Sequence, residues 1–167
     1  IELPSFDQVA EWHHNLTPVQ GQVRILRDIC QFIEKKCQEK GSQFSLYYSV
    51  ENNTVGESAL VVIDNLGEET FPGMFVSEPM RKGHVRKFRK GFNTTNTSKI
   101  NACAKLKQMV ENHQVKINSR SLISELKTFI ARGVTFEAKE TQHDDLVAAF
   151  LLAIRMMMML GDWDPAV

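Results

Sequence analysis

The sequence predicts an α/β fold, a mixed sheet flanked by helices, on three observations. Short runs rich in aromatic and β-branched residues alternate with longer segments of helical period. At 167 residues the chain is long enough for one domain with a proper core. Its final segment, from Asp144 onward, is apolar nearly all round, as a central helix would be. A hydrophobic share of 43% and a charged share of 24% exclude a disordered chain, a collagen and a disulfide scaffold. No apolar run is long enough to span a membrane: the best, Leu146 to Leu160, carries Arg155 inside it.

In chain order, Ile1 to Leu3 and Gln8 to Trp12 read as a strand hairpin turning at Pro4-Ser5. Thr17-Pro18-Val19-Gln20 is a helix start, with Thr as cap, Pro at the first helical position and Gln three residues on. Val19, Val23, Leu26, Cys30, Ile33 and Cys37 follow at three- and four-residue steps, and Gly41 closes the helix. Phe44 to Val50 is a strand ending at Glu51-Asn52-Asn53. A helix is expected over about 56–65, a short strand over 73–76 and a helix over 99–112. Val115 to Ile117 is a further short strand, Ser119 or Ser121 caps a helix through about Ala131, and 134–139 is an edge strand. One domain, residues 1–167, accounts for all of this.

Cys30, Cys37 and Cys103 are odd in number and show no C-x-x-C spacing, so they read as thiols in a reducing compartment, with Cys30 and Cys37 buried on one helix face. The cytoplasm is the expected location. With no initiator Met, no signal segment and an Ile-Glu-Leu-Pro opening, the chain reads as cut from something longer.

Twenty basic and twenty acidic residues cancel, but they are segregated. Residues 1–80 hold 5 basic and 12 acidic side chains, 81–135 hold 13 and 2, and 136–167 hold 2 and 6. The densest cationic stretch runs from Arg81 to Phe92 and includes Arg86, Lys87, Arg89 and Lys90, with Phe88 and Phe92 interleaved. Cations release counterions from phosphates and aromatics stack on bases, so this run suits nucleic acid. By composition alone it reads equally as a solvated basic loop. The hydroxyl and amide donors of Asn93 to Lys99 that follow suit phosphate oxygens and favour the first reading.

Two acidic positions differ from the rest. Glu51 ends a buried strand, where open α/β sheets place their sites. Asp144 and Asp145 open the final helix, where negative charge also has a purely structural use as cap and dipole partner. With a basic run between them, these carboxylates suit phosphodiester cleavage through Mg²⁺ or Mn²⁺, two ions in all, although the set looks one carboxylate short. His143 is a further candidate ligand or proton shuttle. His13, His14, His84 and His113 show no partner at useful spacing. The chain has no Gly-rich P-loop, no nucleophile elbow and no Cys/His pairing.

Four stretches occur in an order and spacing that resemble one known family. They are Tyr47-Tyr48-Ser49-Val50-Glu51-Asn52-Asn53, Lys90-Gly91-Phe92-Asn93-Thr94-Thr95 to Lys99, Ser121-Leu122-Ile123-Ser124-Glu125-Leu126, and His143-Asp144-Asp145-Leu146-Val147. Together they resemble the nuclease domain of the large terminase subunit of tailed bacteriophages, of the T4-like myovirus kind, over essentially the whole chain. The resemblance implies an RNase H-like fold, a central mixed sheet with helices on both faces, and metal-dependent endonucleolytic cutting of concatemeric viral DNA during packaging. It implies Glu51 as the second acidic ligand, and the Asp144-Asp145 pair as the last, with Asp145 the main ligand and Asp144 in support. Lys99 and the 81–90 run, including Arg86, Lys87, Arg89 and Lys90, would hold the DNA backbone. Double-stranded DNA, a phage portal and a small terminase subunit are the implied partners, in the host cytoplasm and without a membrane.

On this resemblance the family's first catalytic aspartate is expected on an opening strand ahead of Ile1, and the family's ATPase motor is expected outside these residues. Neither Glu2 nor Asp7 stands in a matching context, so the chain alone is expected to fold incompletely and to cut weakly or not at all. Three other readings stand beside this one: another RNase H-like nuclease of resolvase or transposase type, a non-catalytic DNA-binding module, and an interaction domain of a packaging complex.

Overall fold

A computed structural model describes residues 5–78, 90–132, 135–138 and 144–163. The chain divides into two compact units, residues 14–93 and residues 1–13 together with 94–167.

The unit 14–93 begins with α1 (Val19–Glu39), whose expected apolar stripe buries Val23 and Cys30. Pro18 occupies the cap position, one residue later than the sequence motif suggests, and the Gln22 amide donates to the Thr17 carbonyl. Lys40 ends the helix, and Gly41 follows at φ 63°. Next come β2 (Tyr47–Tyr48), α2 (Thr54–Leu66), a 3₁₀ turn over Glu68–Thr70 and β3 (Met74–Phe75), which pairs parallel with β2. The strand expected over 44–50 is thus shorter as a ladder, and α2 starts two residues early because Asn53 caps it. Val23, Cys30, Tyr48, Ile63 and Phe71 form the core. The Tyr48 ring stacks on Phe71 at 5.3 Å and meets Phe75 edge-on at 5.3 Å. Burial, with the nearby Glu68 charge, pushes the Tyr48 phenol up to about 12. Cys30 is buried as expected, and burial raises its thiol pKa, whereas Cys37 is half-buried.

The other unit contains β1 (Phe6–Gln8), α3 (Asn96–Glu111), β4 (Val115–Ile117), α4 (Arg120–Thr128), β5 (Phe129–Arg132), β6 (Thr135–Ala138) and α5 (Asp145–Trp163). The first arm of the expected opening hairpin lies outside the described residues, and of its second arm only Gln8 is in a strand. Phe6–Gln8 pairs parallel with Val115–Ile117. The Gln8 side chain fixes that pairing, because its Oε1 accepts the N–H groups of Asn118 and Ser119 at 3.0 and 2.8 Å. Residues 1–4 lie outside the described residues. Ser119 caps α4 by accepting the Leu122 N–H at 2.8 Å, and its hydroxyl donates to the Glu11 carboxylate. The helix expected to reach Ala131 stops at Thr128, where Phe129–Arg132 pairs antiparallel with Thr135–Ala138. The β-sheet preference of Phe129 and Ile130 wins there over continued helix.

Ala102, Leu106, Met109, Leu122, Val147, Phe150, Leu151 and Ile154 form this unit's core, with Phe6 set edge-on to Phe150 at 5.6 Å. The fully buried Ala102 brings no bulk to the seam where α3 meets α5. The last helix buries Val147, Phe150, Leu151, Ile154, Met159 and Leu160, but Ala148, Ala149 and Met158 are exposed, so it is buried on one side and not all round as its composition suggests. Arg155 is also buried and donates to the Thr94 hydroxyl at 3.1 Å. Among the described residues the strands make three two-stranded ladders, and no helix is long and apolar enough to cross a membrane.

Ile154 has no solvent exposure. Ile154→Ala is expected to cost about 2–5 kcal/mol of stability, the range for emptying a packed site. Met158→Ala, at an exposed position, should cost less than about 1 kcal/mol. Urea unfolding of the two variants checks the contrast.

Candidate nuclease site

In the unit 14–93 the segment around β2 carries Glu51 at its carboxyl end. Leu46 and Tyr48 offer their carbonyls to the N–H groups of Met74 and Val76 at 2.8 and 2.9 Å. Val50 offers its carbonyl to Phe92 at 3.1 Å, and the Asn52 N–H returns to the Phe92 carbonyl at 2.6 Å. These carbonyls alternate along the segment, so they face one edge. Met74 and Val76 thus line one part of that edge and Phe92 the next. The two arms are fastened where they part: Glu78 N–H donates to the Gly91 carbonyl at 3.1 Å and Gly91 N–H to the Ser77 hydroxyl at 3.0 Å. The Glu78 carboxylate accepts the Asn93 N–H at 3.2 Å. The root of the cationic run thus stands at the strand end that bears Glu51. Arg86, Lys87 and Arg89 themselves, with His84, lie outside the described residues.

Gly91 occupies φ 82°, and a Cβ there would stand 2.6 Å from the Val50 carbonyl oxygen. Gly56, in the first turn of α2, is closer still: a Cβ would lie 1.6 Å from the Glu51 carbonyl oxygen. Between them Glu51 is half-buried, and its carboxylate accepts the Asn53 side-chain amide at 3.1 Å. Asn53 also caps α2 through the Gly56 N–H at 2.8 Å. Asn52 is buried, and its amide donates to the Lys90 carbonyl at 2.9 Å, while its Oδ1 has no hydrogen-bond partner among the described residues.

Lys90 is anchored at both ends. Its Nζ stands 2.8 Å from Glu68 and 3.0 Å from Asp64. Hydrogen bonds to Glu68 and then to Asp64 raise its pKa above the ordinary lysine value. The expected phosphate contact is therefore also the post that fixes where the cationic run ends.

In the other unit, Lys99 and the two aspartates come together at the start of α5. The Thr95–Ser98 capping box starts α3 and fixes Lys99 in its first turn. Lys99 Nζ stands 3.7 Å from the Asp144 carboxylate and 5.1 Å from the centre of the Phe129 ring. Asp145, more exposed, has His13 Nε2 at 3.4 Å. His13 had no partner at useful spacing in the sequence. The β1–β4 pairing and the Gln8 and Glu11 bonds to the start of α4 bring its segment there, and no local signal announces them. His143 lies outside the described residues. Glu51 belongs to the unit 14–93 and the aspartates to the other. Among the described residues no three His, Cys, Asp or Glu side chains are gathered to hold a metal ion.

The capping explanation for Asp144 and Asp145 weakens on inspection. The Leu146 and Val147 N–H groups are taken by Glu125 of α4, at 2.9 and 3.1 Å. The Asp144 carboxylate instead stands beside the Lys99 ammonium and the Asp145 carboxylate beside the His13 ring, and carboxylate oxygens are hard donors of the kind Mg²⁺ and Mn²⁺ take. Donor chemistry therefore fits a divalent ion at these residues.

Residues 47–157 match the family model of the terminase RNaseH-like domain. The match runs from β2 into α5 and takes in Glu51, the cationic run, Lys99, Asp144 and Asp145. The chain belongs to this family, a mixed α/β domain with a nuclease-type role in a terminase.

Gly56→Ala must displace backbone, not a flexible side-chain tip, so it is expected to destabilise by roughly 1–3 kcal/mol or more. Thermal unfolding of the variant measures this. For Lys90 the sign follows from its raised pKa: the stabilisation is whole below the ordinary lysine value of 10.5 and is lost as pH rises through the folded value. The gap in urea midpoint between the native chain and Lys90→Met should therefore hold from neutral pH and close in strong alkali.

Proposed function

We propose that this chain is the metal-dependent DNA endonuclease of a phage packaging terminase, of the T4-like myovirus kind, cutting concatemeric viral DNA. Its carboxylates for Mg²⁺ or Mn²⁺ are Glu51, Asp145 and, in support, Asp144. The observation that carries the reading is that Asp144 and Asp145 are relieved of capping α5, because Glu125 holds the amides they would otherwise serve. The family match supports the nuclease class. A single RNase H-like domain with a central mixed sheet, a host-cytoplasmic location, and a portal and small terminase subunit as partners belong to the same proposal.

Bound at these carboxylates, the ions supply Lewis-acid polarisation of the phosphodiester and activation of the attacking water. The protein supplies the rest. Asn53 orients the Glu51 carboxylate, and the Gly56 amide bond to Asn53 fixes Asn53 in turn. Lys99, beside Asp144, offers an ammonium to a phosphate oxygen. Arg86, Lys87 and Arg89 neutralise the DNA backbone, and Lys90 fixes the root of their run through Glu68 and Asp64.

Mn²⁺ binding, followed by the loss of the free-ion paramagnetic signal, tests the reading on this chain. Glu51→Ala and Asp145→Ala should each weaken binding at least about tenfold. In a terminase polypeptide that includes the domain, the same substitutions should abolish linearisation of supercoiled plasmid while leaving DNA binding in place. A chain that takes no Mn²⁺ and holds DNA equally well in chelator would overturn the reading and leave a DNA-binding module.

A further inference from the structure

The first amides of α5 are an unusual place to find a glutamate from another helix. A helix leaves its opening N–H groups without internal partners, and the residue just before it normally serves them with its own side chain. That residue is Asp144, a good cap by type. Yet the amides of Leu146 and Val147 both go to one oxygen of Glu125. Asp144 contributes only its backbone carbonyl, accepting the Ala148 N–H at 2.7 Å, and its carboxylate stands by Lys99.

Glu125 is firmly based. Leu122, three residues before it, is buried in the core with Val147, Phe150 and Ile154, and Leu126 packs against the same cluster. The Ser119 cap and the Gln8 side chain fix the start of its helix. A carboxylate placed this way forms charge-assisted bonds to two amides and adds negative charge at the positive end of the α5 dipole.

We infer that Glu125 is a positioning residue: by occupying the α5 amides it keeps the Asp144 and Asp145 carboxylates out of the cap and available to a divalent cation. The availability to a cation rests on the nuclease reading above; the exchange of caps does not. Without Glu125, Asp144 would turn to the empty amides, as an aspartate at that position ordinarily does, and would be withdrawn from Lys99 and from metal.

A double-mutant cycle on the native chain separates the two. Asp144→Ala alone should change the unfolding equilibrium less than about twofold, since Asp144 is not the cap. In a Glu125→Ala background the same substitution should lower stability by about fivefold or more, because the cap has passed to Asp144. Glu125→Ala, with both aspartates intact, should weaken Mn²⁺ binding by roughly 10- to 100-fold, and Glu125→Gln, whose amide oxygen still accepts, should restore most of it. An additive cycle, or Mn²⁺ binding unmoved by Glu125→Ala, overturns the inference. A native chain that takes no Mn²⁺ while the cycle remains coupled would instead bring down the nuclease reading and leave Glu125 as the cap. If Glu125→Ala does not fold, the cycle is run with Glu125→Gln, a neutral and weaker acceptor, and a smaller coupling of the same sign is expected.

Discussion

Buried backbone carbonyls must find donors, and in the unit 14–93 that requirement organises the surroundings of Glu51. Leu46, Tyr48 and Val50 present their carbonyls to one edge, and no single strand serves all three. Met74 and Val76 take the first two, and Phe92, from beyond the cationic run, takes the third. Because the later arm must come this close, Gly91 is needed where it passes Val50, and Gly56 where α2 passes Glu51. The conformation of the strand end, the cap of α2 and the root of the cationic run are thus consequences of one shared edge.

A second constraint governs α5. One side of it, with Val147, Phe150, Leu151 and Ile154, is core, and groups outside the helix arrange its charged start. Glu125 serves the amides, Lys99 stands by Asp144 and His13 by Asp145. Each comes from a different part of the same unit, and each is held by its own local device: a helix in the core, a capping box, and a segment fastened by Gln8. With Glu125 on the amides, the two aspartate carboxylates are left out of the cap itself.

Much of this was legible in the sequence where the signal is local. Helical period located α1, α3 and α5, and the Val115–Ile117 strand lies where the sequence places it. Glu51 and the Asp144-Asp145 pair stood out by position on their elements. What escaped depends on partners distant in sequence. The β1–β4 pairing joins residues more than a hundred apart, so the opening segment read as a hairpin with its own neighbour. His13 had no meaning until that pairing carried it to Asp145. Glu125 read only as part of a family-like stretch, since nothing in α4 alone tells a surface glutamate from one aimed at another helix. The end of α4 was misplaced because the β preference of Phe129 and Ile130 does not by itself end a helix in sequence, and it is the pairing with β6 that realises it.

The fastened root at Ser77, Glu78 and Gly91 also bears on how such a domain can diverge. Since the two arms close on each other by their own hydrogen bonds, the stretch between them can lengthen or shorten without moving the strand edge or Glu51. Each doubling of its length adds only about 0.6 kcal/mol of closure entropy. The number of charges in the cationic run can then change while the carboxylate end stays fixed, so the two features are free to vary separately.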